Sequence, residues 1–168
     1  MAKKVTSISQ KRMEKDFNGF ISKIKIDKKT DIPDIEYTLN SDKNEKTVVL
    51  KGKEKPLDSF LVAMQNLSEV FCDICELHDK SDDVIITTVN FSEKGGITIS
   101  GQVELKNGIP QPLCLNTPHV LIEDNDKSWN LPDYAQKQVE ELKKQAILYI
   151  RGEAAEKQGN FSFEESLG

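Results

Sequence analysis

The residues from Asp83 to Ile122 constrain the fold most, because three runs of strand-forming residues follow one another there. Segments 97–100 (ITIS) and 103–106 (VELK) alternate apolar with polar side chains, the two-residue period of a strand with one buried face. Gly95-Gly96 and Asn107-Gly108 separate the runs, at positions where hairpin turns need residues that tolerate positive φ. This stretch therefore predicts a three-stranded meander joined by tight turns.

Two regions nearer the N-terminus predict shorter strands. Residues 20–27 predict one strand, in which Phe20 and Ile24 lie on the same side. Residues 35–39 and 47–53 are rich in Thr, Val, Ile, Tyr and Leu and flank a polar turn, so they predict a hairpin.

Two proline residues each precede a long amphipathic segment. Pro56 opens the first predicted helix, which runs to Leu77 with apolar residues three and four positions apart. Pro132 opens the second, which Gly152 ends or weakens. The apolar positions of the second helix repeat with 4-3-4-3 spacing: Ala135, Val139, Leu142, Ala146 and Tyr149.

Together these elements predict an α+β fold, a largely antiparallel sheet of about five to six strands with two long helices packed on one face. The expected organisation is a basic, weakly ordered arm over residues 1–19, a single domain over residues 20–156 and an exposed tail over residues 157–168. A helix with 4-3-4-3 spacing can also pack on a copy of itself, so a homo-oligomer is an open alternative.

Composition bounds the class of protein. The 168 residues are 37% hydrophobic and 30% charged, enough apolar content for one core. No run reaches the about 18 apolar residues of a membrane span, and the N-terminus lacks the apolar segment of a signal peptide. Three cysteines, an odd count, fit reduced thiols. These features predict a cytoplasmic protein with no membrane partner.

The charge is distributed unevenly along the chain. Residues 1–30 carry nine Lys or Arg against three Asp or Glu, a net charge of +6, whereas residues 56–168 carry nine against nineteen, a net charge of −10. Such an arm can contact nucleic-acid phosphates without reading sequence, or it can be a solvated segment. The candidate phosphate-binding residues are Lys3, Lys4, Lys11, Arg12 and Lys15.

Two segments predict contacts with a protein partner. Gln158, Phe161 and Phe163 have a spacing similar to the hexapeptide with which bacterial replication proteins bind the sliding clamp, and the alternative is a tail that packs on its own domain. The second segment contains Asn116, Thr117 and His119 around Pro118, a donor-rich interruption of a strand that is also ordinary turn chemistry.

Metal and catalytic chemistry have weaker support. Cys72, Cys75, Cys114 and His119 include the atom types that bind zinc, but cysteines on an apolar helix face or in a strand are typical buried residues. No nucleophile-elbow, metalloprotease, P-loop or dinucleotide-binding motif occurs in the sequence. We therefore expect no enzymatic activity, no cofactor and no metal, and a zinc-dependent enzyme is the weakest alternative.

The C-terminal half resembles a group of small proteins of tailed phages and prophages. The resemblance covers residues 83–163 and includes the segments GGITISGQVELKNG, PLCLNTPH and LYIRGEAAEKQGNFSF. It implies a phage-type gene near replication or recombination functions, acting in the host cytoplasm, and implies no catalytic residue. The resulting hypothesis is a non-enzymatic accessory protein that binds single-stranded nucleic acid or a DNA-handling protein. The alternative is a protein-only module that inhibits a host or defence factor.

Overall fold

The computed structural model describes residues 17–122 and 130–155, and the structural statements below concern these residues. One antiparallel sheet contains seven strands, and helices cover one of its faces. The strands are β1 Gly19–Ile26, β2 Pro33–Asn40, β3 Glu45–Lys51, β4 Val84–Phe91, β5 Gly96–Val103, β6 Leu113–Asn116 and β7 Val120–Leu121. The helices are α1 Asp58–Gln65, α2 Leu67–Cys75 and α3 Asp133–Ile150.

The spatial order of the strands is β3-β2-β1-β4-β5-β6, with β7 also beside β5. Ile24, Ile35, Val89 and Ile99 are completely buried on the face that the helices cover. Their strand neighbours on the opposite face are mainly Thr, Ser, Asn, Gln and charged residues. The predicted α+β class, with helices on one face of an antiparallel sheet, is therefore confirmed.

The two helical regions follow their predicted patterns, with one correction. All five apolar positions predicted for α3 are buried, because 4-3-4-3 spacing keeps them on one side of the helix. The first region is not one helix, since Asn66 separates α1 from α2. Each helix buries its own apolar side chains against the core. These are Phe60, Ala63 and Met64 in α1 and Leu67, Val70 and Phe71 in α2. No helix of the described residues is long and apolar enough to cross a membrane.

The side-chain pattern predicted for β1 was wrong at its start. Ile21, not Phe20, is buried with Ile24, because the register against β2 shifts between Ile21 and Lys23. Such a bulge adds a residue to one strand, so the inward and outward positions exchange there. The Ser22 hydroxyl donates a hydrogen bond to the Glu36 carbonyl oxygen at this point, 3.1 Å away.

The meander also differs from its prediction, in its second turn and in its third strand. Strands β5 and β6 are joined by a long loop, residues 104–112, and not by a tight turn at Asn107-Gly108. The third strand is divided into β6 and β7, and Thr117 bridges the interruption. The Thr117 amide donates to the Ile99 carbonyl oxygen at 2.8 Å, and its hydroxyl accepts from the Ile99 amide at 3.0 Å. One buried threonine thus satisfies both backbone groups of Ile99.

Gly101 lies where α2 meets β5. A Cβ atom at this position would lie 3.2 Å from Val84 Cγ1 and 3.3 Å from Phe71 Cε2, tighter than ordinary contact. Phe71 is completely buried, so it has little room to move away. Glycine at this inward position therefore allows the helix to approach the sheet closely.

Candidate functional site

Strands β1 and β4, the central pair of the sheet, separate after a short ladder. Only Lys23, Ile24 and Lys25 of β1 have partners on β4, which are Asn90, Val89 and Thr88. The register of β4 against β5 shifts between Ile86 and Thr88, directly beyond this ladder. Strand β1 ends at Ile26, so Val84–Ile86 of β4 extend beyond it and lie near the β1–β2 turn. A gap is left between β4 and this turn.

The backbone of β4 faces this gap. In an antiparallel ladder alternate residues bond to one neighbour, and the Glu104 amide donates to the Asp83 carbonyl oxygen on the β5 side. Val84 and Ile86 therefore direct their backbone groups towards the gap. The Gln65 side-chain amide donates to the Val84 carbonyl oxygen at 2.7 Å, so α1 supplies one bond that a neighbouring strand would make. The register gives Ile86 no partner on β1.

A groove of about 320 Å³ occupies the gap between α1, β1 and β4. Its volume is at the lower end of the range for ligand sites in proteins. Met64 on its wall is buried, whereas Ile85 remains 40% exposed. The lining residues come from β1, the β1–β2 turn, α1 and β4, and they are Ile26, Lys28, Asp31, Leu61, Met64, Gln65, Ile85, Ile86 and Thr87.

A second depression of about 370 Å³ continues this groove across the uncovered face of the sheet. Lys28 and Ile85 line both depressions, so the two are adjacent. The long loop after β5 forms the far wall, where Ile109 is 53% exposed. We call the combined feature the β1–β4 groove. Its second half is lined by Lys28, Ile85, Gln102, Glu104, Leu105, Ile109, Pro110, Gln111 and Pro112.

The turn that carries Lys28 is fixed by its own hydrogen bonds. The Asp27 carboxylate accepts from the Lys29 amide at 2.8 Å and from the Thr30 amide at 3.1 Å. These two backbone donors, Lys29 first, lower the pKa of Asp27 because they stabilise its charged form. The Asp31 amide also donates to the Asp27 carbonyl oxygen at 2.8 Å. The turn therefore holds Lys28 beside the groove.

The groove combines three recognition elements. Ile86, which is 4% exposed, has no strand partner on β1. Leu61 and Met64 form an apolar wall, and Lys28 is a cation. These are the elements with which proteins bind an extended peptide, where backbone bonds give affinity and side-chain contacts give specificity. No sequence pattern predicted this groove. The only signal is the change in apolar alternation at Thr87-Thr88, where the bulge occurs.

The three described residues predicted to contact a partner have different environments. Asn116 and His119 are exposed, whereas Thr117 is buried and its hydroxyl bonds within the sheet. His119 Nε2 lies 3.1 Å from the Ser92 hydroxyl oxygen, which also accepts from the Gly96 amide at 2.9 Å. The His119 ring covers Gly96 so closely that a Cβ atom at residue 96 would overlap it. These contacts fix the position of His119, and its role in binding stays a prediction.

The cysteines do not converge. Cys72 and Cys75 lie on α2, while Cys114 is opposite Gln102 on the face of the sheet that the helices leave uncovered. Among the described residues no group of three or more His, Cys, Asp or Glu could hold a metal ion. Burial raises the pKa of Cys72, with smaller contributions from Cys75 and Asp73, and burial also raises the pKa of Cys75. The arrangement required for the zinc alternative is therefore not present.

The remaining predicted contacts, the basic residues of the arm and the aromatic residues of the tail, lie outside the described residues. They stay predictions. Comparisons with protein-family models, curated proteins and solved structures found no match for this chain.

Proposed function

We propose that this protein is a binding protein that captures an extended segment of a partner protein in the β1–β4 groove. The observation that carries the proposal is that Ile86 of β4, which lies beyond the end of β1, has no strand partner on that side and lines a groove with an apolar wall. An extended segment bonds to Ile86 as a short additional strand, a recurring mode of peptide recognition.

The groove also defines the chemistry of the segment that fits it. Side chains two residues apart point to the same side of a strand, so alternate apolar residues meet Leu61 and Met64, while Ile85 lies on the uncovered face of the sheet. An acidic residue in the segment pairs with Lys28, which lines both halves, whereas Asp31 in the first half and Glu104 in the second favour neutral or basic residues beside them. A polar, uncharged segment leaves both features unused.

This proposal is consistent with the sequence-based hypothesis of an accessory protein without catalytic activity. A phage-type protein of DNA replication or recombination would use such a groove to hold a DNA-handling protein, and an inhibitor of a host or defence factor would use it to hold that factor. The resemblance to phage proteins supports the first setting, and the acidic body, net −10 over residues 56–168, supports a protein partner over sequence-blind binding of DNA.

Selection from a random peptide-display library against the full chain tests the proposal, with isolated peptides measured by calorimetry. Ile85→Arg places a charged side chain in both halves of the groove. Leu39→Arg is the matched control, since Leu39 is also on a strand and 37% exposed but lies away from the turn that carries Lys28. Backbone amide NMR spectra show where the peptides bind.

We expect selected peptides with alternate apolar residues, a loss of about tenfold or more in affinity with Ile85→Arg, and little change with Leu39→Arg. The Ile86 and Thr87 amide signals should shift on binding. Peptides that bind both variants equally, or a library that yields no binding peptide, would overturn the proposal.

A further inference from the structure

Strand β3 is a long free edge of the sheet. It contains seven residues, Glu45–Lys51, and pairs only with β2 among the described strands. The opposite edge is protected, because β6 and β7 are short and Pro118 lies between them. On β3, Val49 is 56% exposed. An exposed edge of this length is able to pair with another strand.

The hydrogen bonds to β2 determine which β3 residues face outward. The Gly52 amide donates to the Pro33 carbonyl oxygen at 3.0 Å, and the Ser41 amide donates to the Asn44 carbonyl oxygen at 2.9 Å. Residues 44 and 52 therefore bond towards β2, and by alternation so do residues 46, 48 and 50. The backbone groups that face away from the sheet belong to Glu45, Thr47, Val49 and Lys51, all of which are exposed.

We propose that two copies of this chain pair through β3, antiparallel, about a two-fold axis at Val48. This register places Glu45 of one copy opposite Lys51 of the second copy, and Thr47 opposite Val49. Only outward-facing residues are then hydrogen-bonded to one another, as an antiparallel ladder requires. The two sheets join into one continuous sheet without rearrangement of either monomer.

The charges of β3 favour this register. Each Glu45 meets a Lys51 across the pair, and the two-fold axis makes this contact twice. On the other face Val48 meets Val48, and Lys46 meets Leu50 along its aliphatic stem. A shift of two residues in one direction places Lys51 opposite Lys43, a repulsive contact. The opposite shift places Glu45 opposite Lys53, which lies beyond the end of β3.

The interface is narrow, because it consists of one strand from each copy. Contacts of this size form weak dimers, so we expect a monomer–dimer equilibrium with a dissociation constant in the micromolar range. Lysine residues on an edge strand also serve to prevent pairing, which predicts a monomer at all concentrations. The two alternatives differ in whether a dimer forms as the protein concentration rises.

Sedimentation equilibrium of the full chain tests the pairing. Protein concentrations between about 5 μM and about 500 μM span the expected micromolar dissociation constant. Glu45→Lys and Lys51→Glu each create like charges opposite one another, and each should raise the dissociation constant about tenfold. The double variant restores opposite charges and should return the constant to within about threefold of the wild type.

Thr47→Pro is the independent test of the backbone contact. The Thr47 amide faces outward, so its removal does not break a bond to β2, and proline is tolerated on edge strands. The circular-dichroism spectrum should be that of the wild type, while dimerisation is lost. A wild-type chain that is monomeric over the whole range, or a dimer unaffected by Thr47→Pro and by both single charge reversals, would overturn the proposal.

Discussion

The Lys28 ammonium group donates a hydrogen bond to the Gln102 side-chain oxygen, 3.1 Å away. Lys28 belongs to the β1–β2 turn and Gln102 to β5, and on β4 the neighbour of Gln102 is Ile85. The bond therefore crosses the N-terminal part of β4, at the junction of the two halves of the groove. It joins the two sides of the gap where the backbone ladder is missing.

Replacement of Lys28 by methionine should lower the affinity of the groove for acidic peptides about fivefold, because the substitution removes the positive charge and keeps an aliphatic side chain. Lys29→Met is the matched control, since Lys29 lies in the same turn but does not line the groove. Calorimetric titration with a selected peptide measures both. Equal losses in the two variants would show that only the overall charge of the turn matters. The free energy of unfolding should change by less than about 1 kcal/mol, since the bond lies at the surface.

Gly96→Ala should displace the His119 ring and break its contact with Ser92, because the new methyl group would overlap the ring. We expect a loss of about 1–3 kcal/mol in the free energy of unfolding, measured by urea denaturation. The same substitution in a His119→Ala background should cost clearly less, since the ring is then absent. An equal cost in both backgrounds would assign the loss to the Gly96 backbone and not to His119.

Thr117→Val should destabilise the protein by about 1–3 kcal/mol, because the buried Ile99 amide loses its acceptor while the side-chain volume is retained. Urea denaturation measures the change. Thr98→Val, at a half-buried position on the uncovered face of β5, is the control and should change stability by less than about 1 kcal/mol. If both variants are equally stable, the bond between the Ile99 amide and the Thr117 hydroxyl does not stabilise the fold.

The thiols should react in the order of their exposure. Cys114 is exposed, whereas the pKa values of Cys72 and Cys75 are raised by burial, so their reactive thiolate forms are depleted in the folded state. At pH 8 a thiol reagent should modify Cys114 first, and Cys114→Ser should remove the fast phase. A fast phase that persists in Cys114→Ser would contradict this order.

The same pKa shifts make stability depend on pH. A thiol whose pKa is raised by folding holds its proton longer in the folded state than in the unfolded state. Its contribution to stability is therefore complete below the unfolded pKa of about 8.5 and is lost as the pH rises through the folded value. Urea denaturation at pH 7.5 and pH 9.5 should show a loss that is smaller in Cys72→Ala than in the wild type.

Removal of residues 1–16 should weaken binding to single-stranded oligonucleotides, if the basic arm contacts phosphates as its sequence predicts. Fluorescence anisotropy measures the binding at several salt concentrations. Five phosphate contacts predict a slope of log K against log salt of about −3.5 for the full chain, and a slope near zero without the arm. No binding at about 50 mM salt would remove nucleic acid from the expected partners.

The sequence predicted the layers of this fold better than its connections. The α3 pattern from Ala135 to Tyr149 and the alternation from Ile97 to Val103 were sufficient to predict the buried side chains of these two elements. Burial on one face imposes a fixed period on a helix and on a strand. The predictions failed at Ser22, Asn66 and the loop after β5. The bulge at Ser22 changed which side chains face the core, Asn66 interrupted a helix, and a longer loop replaced a tight turn, and local residue preferences do not specify such features.

The sequence by itself determined which side chains are buried in α3 and β5, since the hydrophobic period is a property of the chain alone. It also determined the position of the glycine that Phe71 approaches, although not the identity of that neighbour. The tertiary structure alone decided that β1 lies beside β4 and then separates from it. Residues more than sixty positions apart form that short ladder. No local sequence pattern therefore indicates that the ladder ends at Lys25 and Thr88, where the groove begins.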